Sequence, residues 1–338
     1  MKKVLFATTA LVATAGVASA QGVEVTGYAE MGIFGGNTDN PATPGVDESV
    51  TRFFTDIDVR FRMSGETDNG LTFGAGVDLD EVAGAGPAVS NNNDDGGAFF
   101  FLSGEFGTVT MGDTDGALDW ALTEAWVGNA GSINDDETEH AGALGAYGDG
   151  AYDGQILRYD YTFGGVGVAV SAEMDDTGVR NNGFAVGVNY AMDLGGASVG
   201  FGAGYQTLET GALGYAPGFL PATTIAAGST VDILGLSANV ETNGFSAGLQ
   251  YATFDYGGAT NMDQLGLGVG YTSGAFTVSA NWGQWSDVPG VPGDASGFGL
   301  AAGYDLGGGA SILAGYGSSD VGTLPTADTF SLGVSMSF

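Results

Sequence analysis

The chain ends in the stretch TFSLGVSMSF, from Thr329 to Phe338, in which large apolar side chains alternate with small or polar ones. This period of two is typical of a β-strand that has one apolar and one polar face. In a water-soluble protein the apolar face would need a core, and the end of a chain is usually frayed and polar. The fold therefore depends on what covers the apolar face of this strand.

The same alternation recurs along the chain. It is present in 23–33, 56–64 and 71–80, and it returns near 98–105, 107–113, 155–163, 166–174, 183–192, 197–207, 231–240, 245–255, 264–272, 276–285, 297–304, 310–317 and 329–338. We therefore predict about 16 strands from this periodicity. Downstream of residue 20, no stretch approaches the roughly 20 consecutive apolar residues that a membrane-spanning helix requires.

The connections between these predicted strands alternate between short and long. The short ones are rich in Gly, Asn and Asp, which supply the positive φ of tight hairpins; they fall at 65–70, 104–107, 164–165, 193–196, 241–244, 272–274 and 305–308. The long ones are 35–50, 83–97, 114–154, 175–182, 208–229, 256–263, 286–296 and 318–328. Strict alternation places the two kinds at opposite ends of an up-and-down antiparallel sheet, which a sandwich would not do.

Lipid can cover the apolar faces of such a sheet. A closed barrel with an even number of strands, short turns at one end and long loops at the other is the outer-membrane pattern, and it leaves no unpaired edge in the hydrocarbon. Aromatic residues such as Tyr159, Tyr161 and Phe163 lie where interfacial side chains are expected. The sequence thus predicts an all-β transmembrane antiparallel barrel that occupies 21–338 as one domain. A soluble barrel and an adhesin are the alternatives.

The first residues read as a targeting segment. Lys2 and Lys3 precede a short apolar run, and Ala18-Ser19-Ala20 has the small residues of a cleavage site. The apolar run is too short to span a bilayer as a helix. We expect a cleaved signal peptide over 1–20, and hence export to the outer membrane of a Gram-negative bacterium.

The composition excludes several classes of function. The chain has 40 acidic and 7 basic residues, with a formal net charge of −33, which argues against binding to nucleic acid. It has no cysteine and a single histidine, His140, so neither a cysteine nucleophile nor a His-centred zinc cluster is available. We expect no enzymatic activity; a barrel enzyme with a Ser-His-Asp triad would depend on His140.

Four blocks of sequence resemble one known family. They are MSGETDNGLTFGA at 63–75, FLSGEFG running to MGD at 101–113, YDLGGGASI at 304–312, and the terminal Phe338. In this order they resemble the general porins of α-proteobacteria, the Rhodobacter-type family. The resemblance implies a homotrimer of 16-stranded barrels in the outer membrane. Outer-membrane lipid would cover the apolar faces, and the run 91–95 in the second long loop could bridge divalent ions to lipopolysaccharide. Each barrel would be a water-filled channel for passive diffusion of ions and small hydrophilic solutes, narrowed by a third long loop folded into the lumen. A substrate-specific channel with a saturable site is the alternative.

The arginines indicate where such a channel would be narrow. Arg52, Arg60 and Arg62 share one parity on the second strand, and Arg158 has the corresponding parity on the strand after the third long loop. That parity faces the lumen, because arginine facing lipid costs roughly 2–4 kcal/mol at the midplane. We expect these four residues to form the positive side of a constriction. The alternative is that they make wall ion pairs with Asp56 and Asp58.

The acidic side of the constriction is expected from the long segment 114–154. Its start, 117–126, has the pattern of a short helix, and the nearby carboxylates are Asp113, Asp115, Asp119 and Glu124. Carboxylates opposite guanidinium groups would create a transverse field across an aqueous pore. The excess of acidic residues predicts weak cation selectivity. The alternative is that these acids lie on an outward, hydrated loop.

The same segment contains a dense acidic run. Asp135, Asp136, Glu137 and Glu139 are hard oxygen donors that suit calcium. They lack the spacing of an EF-hand, so a hydrated acidic loop is the alternative. No cofactor is expected to be required, and calcium is the one candidate metal.

Overall fold

The computed structural model describes residues 22–37, 50–83, 97–126, 128–133, 135, 140–145, 147–152, 154–210, 228–257 and 261–338. The expected signal peptide, 1–20, lies outside these residues.

Sixteen strands make up almost all of the regular structure in these described ranges. They are β1 (Gly22–Gly36), β2 (Arg52–Glu66), β3 (Thr72–Ala83), β4 (Ala98–Gly104), β5 (Gly107–Gly112), β6 (Ile156–Phe163), β7 (Val166–Glu173), β8 (Gly183–Asp193), β9 (Ala197–Glu209), β10 (Thr230–Thr242), β11 (Phe245–Asp255), β12 (Asn261–Ser273), β13 (Phe276–Ser286), β14 (Ala295–Gly307), β15 (Ala310–Val321) and β16 (Ala327–Ser337). One short helix, α1 (Ala117–Ala121), follows β5.

The strands form a closed antiparallel barrel, as the sequence predicts. Each strand pairs with its neighbours in sequence, and β1 pairs with β16 to complete the cylinder. The terminal Phe338 takes part in the closure, because its backbone N–H donates to the Gly27 carbonyl at 2.8 Å. The last strand therefore needs no core of its own: it seals the barrel and keeps its apolar face outward.

The short connections are tight turns at one end of the barrel. Between β10 and β11, Asn243 and Gly244 have φ of 48° and 83°, and between β6 and β7 Gly164 and Gly165 have φ of 56° and 85°. Positive φ at both central residues matches the twist of a two-residue hairpin. We call this the turn end, and the opposite end the loop end.

Strand β12 shows how the two faces of the barrel differ. Leu265, Leu267 and Val269 are 37–55% exposed, whereas Gln264, which has the opposite parity, is 1% exposed. Large apolar side chains with this outward parity recur around the barrel, including Leu234, Leu236, Val278, Leu300 and Leu332. Such a face suits hydrocarbon, and from β9 to β14 the buried residues have the opposite, inward parity.

Helices contribute little to the architecture. Among the residues that the structure describes, no helix has the length and apolar character needed to cross a membrane. The sequence pattern predicts a helix over 117–126, but α1 ends at Ala121. The reason is that the N–H groups of Thr123 and Ala125 donate to strand side chains, at 3.0 Å each, instead of continuing the helix.

Candidate functional site

The segment 114–154 follows β5, and its described residues bond to strand side chains of inward parity. Its first part, 114–133, is called here the outgoing limb. Backbone N–H groups of this limb donate to inward side chains of successive strands: Ala117 to Ser171 Oγ of β7 at 2.8 Å, Thr123 to Ser237 Oγ of β10 at 3.0 Å, Ala125 to Gln250 Oε1 of β11 at 3.0 Å, and Ala130 to Ser279 Oγ of β13 at 3.0 Å. These bonds satisfy backbone donors that a loop buried against protein would otherwise leave unpaired.

Glycines of the wall make room for the outgoing limb. A Cβ atom added at Gly187, Gly202 or Gly268 would collide with a backbone carbonyl oxygen of this limb, namely that of Ala117, Ala121 or Ala125 respectively. None of these three glycines has a φ in the left-handed region. The sequence therefore uses glycine here for close approach of two backbones, which accounts for part of its abundance.

The part of the segment from 140 to 152, called here the returning limb, runs back across the same strands. Wall side chains bond to it in reverse order: Asn281 of β13 to His140 at 2.8 Å, Gln264 of β12 to the Gly142 carbonyl at 2.9 Å, Gln250 of β11 to the Leu144 carbonyl at 3.0 Å, and Gln206 of β9 to the Gly148 N–H at 3.0 Å. The limb is thus held by amide side chains, which can both donate and accept.

His140 has a structural place in this limb. Asn281 Oδ1 accepts the Gly299 N–H at 3.1 Å, so His140 Nε2 must be the donor to that oxygen. His140 Nδ1 in turn accepts the Gly142 N–H at 3.1 Å. Burial lowers the pKa of His140 to about 4, so the ring is neutral near pH 7. Both ring nitrogens take part in these bonds, which attach the returning limb to β13.

Arg60 and Arg62 of β2 lie together on an exposed part of the inward face. Arg60 is 62% exposed and makes ion pairs with Asp58 at 3.2 Å and Asp78 at 3.0 Å. The guanidinium of Arg62 lies 5.7 Å from the ring centroid of Phe99. Arg60, Arg62, Asp78 and Phe99, with Glu24 and Thr26, line a cavity of about 410 Å³. We call this surface of β1–β4 the open wall.

The other two arginines of the expected constriction lie elsewhere. Arg52 is eight residues before Arg60 on β2 (60 minus 52), which is roughly 26 Å along a strand, and its guanidinium lies 4.4 Å from the ring centroid of Phe34. Arg52 therefore belongs to the loop end of the barrel. The four arginines do not form one cluster at one level.

Arg158 is 4% exposed, which differs from the solvent-facing position expected of it. Its Nη1 donates to the Asp115 carbonyl at 2.5 Å, and its Nε bonds to Asp160 at 3.2 Å. The guanidinium also lies 5.9 Å from the ring centroid of Trp120. The outgoing limb covers Arg158, because the segment starts on the neighbouring strand and turns directly over β6.

The four acids expected at the constriction lie at or beside the start of the outgoing limb and differ in burial. Asp113 and Asp115 are exposed, and Asp119 and Glu124 are half-buried. Burial raises the pKa of Asp119 well above its usual range, and the charges of Asp149, Glu124 and Asp115 raise it further, against a smaller opposing effect of Arg158. Burial is also the largest cause of the raised pKa of Glu124. Asp119 therefore lies close to Arg158 and to Asp115, Glu124 and Asp149, while Arg60 has its own carboxylate partners on β2 and β3.

Asp149 was not among the residues singled out from the sequence. It accepts the Gly116 N–H at 2.5 Å and the Gln206 Nε2–H at 2.8 Å, so it ties the start of the outgoing limb to the end of the returning limb. Burial raises the pKa of Asp149 to about 7, and the charges of Asp115 and Glu173 act in the same direction. Nothing in the run around it distinguishes this acid from its neighbours. The sequence does contain a weak indication of the wall amides. Gln206, Gln250 and Gln264 occupy inward positions of strands in which glycine is otherwise frequent.

The expected calcium ligands fall mostly outside the described residues. Asp135 is described and exposed, whereas Asp136, Glu137 and Glu139 lie outside that part of the chain. Within the described ranges, no group of three or more His, Asp or Glu side chains could hold a metal ion.

Comparison with known proteins gives a consistent result. A family model described as Gram-negative porin matches residues 7–324. A porin of Rhodobacter capsulatus is 32% identical over 297 residues, which cover 83% of this chain and 91% of that protein. A porin structure refined at 1.8 Å resolution matches with a TM-score of 0.67 and 27% identity, over 94% of this chain and 100% of the other. A variant of the Rh. blastica porin matches in fold with a TM-score of 0.64 at 20% identity, over 94% and 100% of the two chains.

Proposed function

Since the chain belongs to the Gram-negative porin family and is thus an outer-membrane porin channel, we propose that it passes ions and small hydrophilic solutes by passive diffusion. We further propose that the segment 114–154 lies in the lumen and narrows it on one side. No bound partner or energy source enters this account, and the exported, signal-cleaved form expected from the sequence is the one that would act.

One observation carries the proposed narrowing. Inward side chains under the segment are fully buried, as Gln250 at 0% and Gln264 at 1% show, whereas Arg60 on the opposite side of the same inward face is 62% exposed. A barrel whose interior were filled evenly would bury both sets. The difference supports a water-filled passage beside the open wall.

The charges of this passage support weak cation selectivity. The net charge of −33 favours accumulation of cations at both mouths. Arg60 and Arg62 oppose that preference locally, while the exposed Asp115 of the outgoing limb reinforces it. We therefore revise the expected constriction: Arg60 and Arg62 are its positive side, Arg158 holds the limb from beneath, and Arg52 belongs to the loop end.

The assembly proposed is a homotrimer. Strands β4 and β5 have 7 and 6 residues, and at about 3.3 Å per residue with a tilt of about 40° they rise less than the roughly 25 Å of an outer-membrane apolar band. This low part of the wall is better covered by protein than by lipid, which supports contact with a second copy. Binding of calcium and contact with lipopolysaccharide stay predictions.

Liposome swelling tests the proposed function. Vesicles that contain the protein should swell in sugars of increasing size at rates that fall smoothly with size and rise linearly with concentration. A rate that saturates for one sugar, while sugars of equal size remain excluded, would instead favour a substrate-specific channel. That second function would draw on the cavity at Arg60, Arg62 and Phe99 as its binding site.

A further inference from the structure

Gln250 of β11 contacts both limbs of the segment. Its Oε1 accepts the N–H of Ala125 on the outgoing limb at 3.0 Å. Its Nε2 donates to the carbonyl of Leu144 and to the hydroxyl of Tyr147, both on the returning limb and both at 3.0 Å. One amide thus joins two stretches of backbone that are about twenty residues apart in sequence (144 minus 125).

The amide of Gln250 is buried, so the loss of these hydrogen bonds would leave polar groups without partners. The side chain is 0% exposed, so water cannot replace a lost protein partner without the limbs moving. Both amide N–H groups donate a hydrogen bond and the amide oxygen accepts one, so each donor of the amide has a partner. Buried polar groups that are left unpaired are costly, so the limbs and Gln250 depend on one another.

Tyr147 is held by the same arrangement. Its φ is 48°, a conformation that is uncommon for a bulky residue, and its side chain is 1% exposed. It belongs to one buried apolar cluster with Leu118 and Leu122 of the outgoing limb. The limbs are therefore joined by apolar packing at Tyr147 and by hydrogen bonds at its hydroxyl, with β11 behind both.

We propose that Gln250 is a positioning residue that sets the size limit of the channel without lining the passage, by fixing both limbs of the segment to β11. This inference rests on the proposed function, since it requires the segment to narrow the lumen. If the two limbs separate from the wall at Gln250, they move toward the open wall or out of the lumen, and the cross-section of the passage changes. Specificity for solute size then depends on a side chain that no solute touches.

The main test compares two matched glutamine substitutions. Gln250→Met keeps the length of the side chain and removes all three hydrogen bonds. Gln284→Met makes the same change on β13, where the amide bonds to Asp294 at 2.6 Å and has outward parity. The measurements are the sugar size limit in liposome swelling and hydrogen–deuterium exchange of peptides that contain Ala125 or Leu144. Single-channel recording adds a readout that counts only folded, inserted molecules.

A milder variant covers the case in which Gln250→Met does not fold. Tyr147→Phe removes one hydrogen bond and keeps the ring, so exchange in the Leu144 peptide should be about fivefold faster, the ratio that corresponds to about 1 kcal/mol per bond. For Gln250→Met we expect at least about tenfold faster exchange in both peptides, together with passage of larger sugars and noisier open-channel current. Gln284→Met should match the wild type in all three measurements.

The outcomes separate this inference from the function on which it rests. A wild-type channel with no size limit would overturn the proposed function and this inference together. If Gln250→Met and Tyr147→Phe have the same size limit as the wild type, and exchange is unchanged in both peptides, this inference alone is overturned. Faster exchange without any change in size limit or current noise would do the same, because Gln250 would then act only on stability.

Discussion

Arg60 and Arg62 are exposed positive charges on the inward face of the barrel. Arg60 is paired with Asp58 and Asp78 at 3.2 and 3.0 Å, but pairs between exposed groups are weak. Their stabilising effect is therefore small. In the proposed passage we expect their effect on passing ions to be larger, since a narrow aqueous passage with low-dielectric walls focuses the field of its charges.

Replacing both arginines by alanine should increase cation selectivity and admit larger solutes. We expect the cation-to-anion permeability ratio of R60A/R62A to rise roughly twofold to threefold at low salt, and the effect should shrink at high salt, where screening is stronger. Reversal potentials in a potassium chloride gradient measure this ratio. Arg52→Ala is the control for R60A alone, because each removes one positive charge and Arg52 lies near the loop end. Equal selectivity in the double mutant and the wild type would mean that these residues only form ion pairs in the wall.

The positions of these arginines could be predicted only in part. The strict alternation along β2 is enough to place Arg60 and Arg62 on the inward face. Arg158 has the same inward parity, yet it is buried, because its exposure depends on where the outgoing limb lies after β5. The parity of a residue can be predicted from its own strand. Its exposure also depends on whether a segment that is distant in sequence covers it.

At the level of elements, the segment 114–154 is held at its base by Asp149. The carboxylate bonds to the Gly116 N–H and to Gln206, and its pKa is raised to about 7 from an ordinary value of 3.8. A raised pKa means that the attached state binds the proton more tightly than a released, hydrated state would. The contribution of Asp149 to attachment is then complete below pH 3.8 and is lost as the pH rises through about 7.

We therefore expect the base of the segment to loosen between pH 5 and pH 8. Hydrogen–deuterium exchange of peptides that contain Gly116 or Gly148, corrected for the intrinsic effect of pH, should be several-fold faster at the higher pH. Asp149→Asn should reduce this pH dependence, with a remainder from Asp119 and Glu124, whose pKa values are raised in the same direction. Equal protection at both pH values in the wild type would contradict this assignment.

The course of the segment could not be predicted from its own residues. The pattern at 117–126 indicates a helix, but strand side chains take the N–H groups of Thr123 and Ala125 and end α1 at Ala121. What determines the path is the spacing of glycines and amides on the wall, such as Gly187, Gly268 and Gln250. In the sequence, each of these residues looks like an ordinary strand residue.

At the scale of the whole molecule, the barrel could be predicted well. Every strand pairs with its neighbours in sequence, so a period of two and an alternation of short and long connections contain most of the topology. The strand ends were less certain: β12 begins at Asn261, three residues before the predicted 264, because pairing with β11 continues after the apolar alternation stops. Closure gives the alternating stretch 329–338 a paired strand on each side, β1 and β15.

The central claim is that the segment 114–154 occupies and narrows the lumen, and its removal tests this most directly. Strands β5 and β6 are neighbours, with Gly112 opposite Ile156, so a short Gly-Ser linker can replace 115–153 without breaking the barrel. We expect single channels of this variant to have a higher conductance than the wild type and to admit larger sugars. Channels that insert normally but keep the wild-type conductance and size limit would contradict the account.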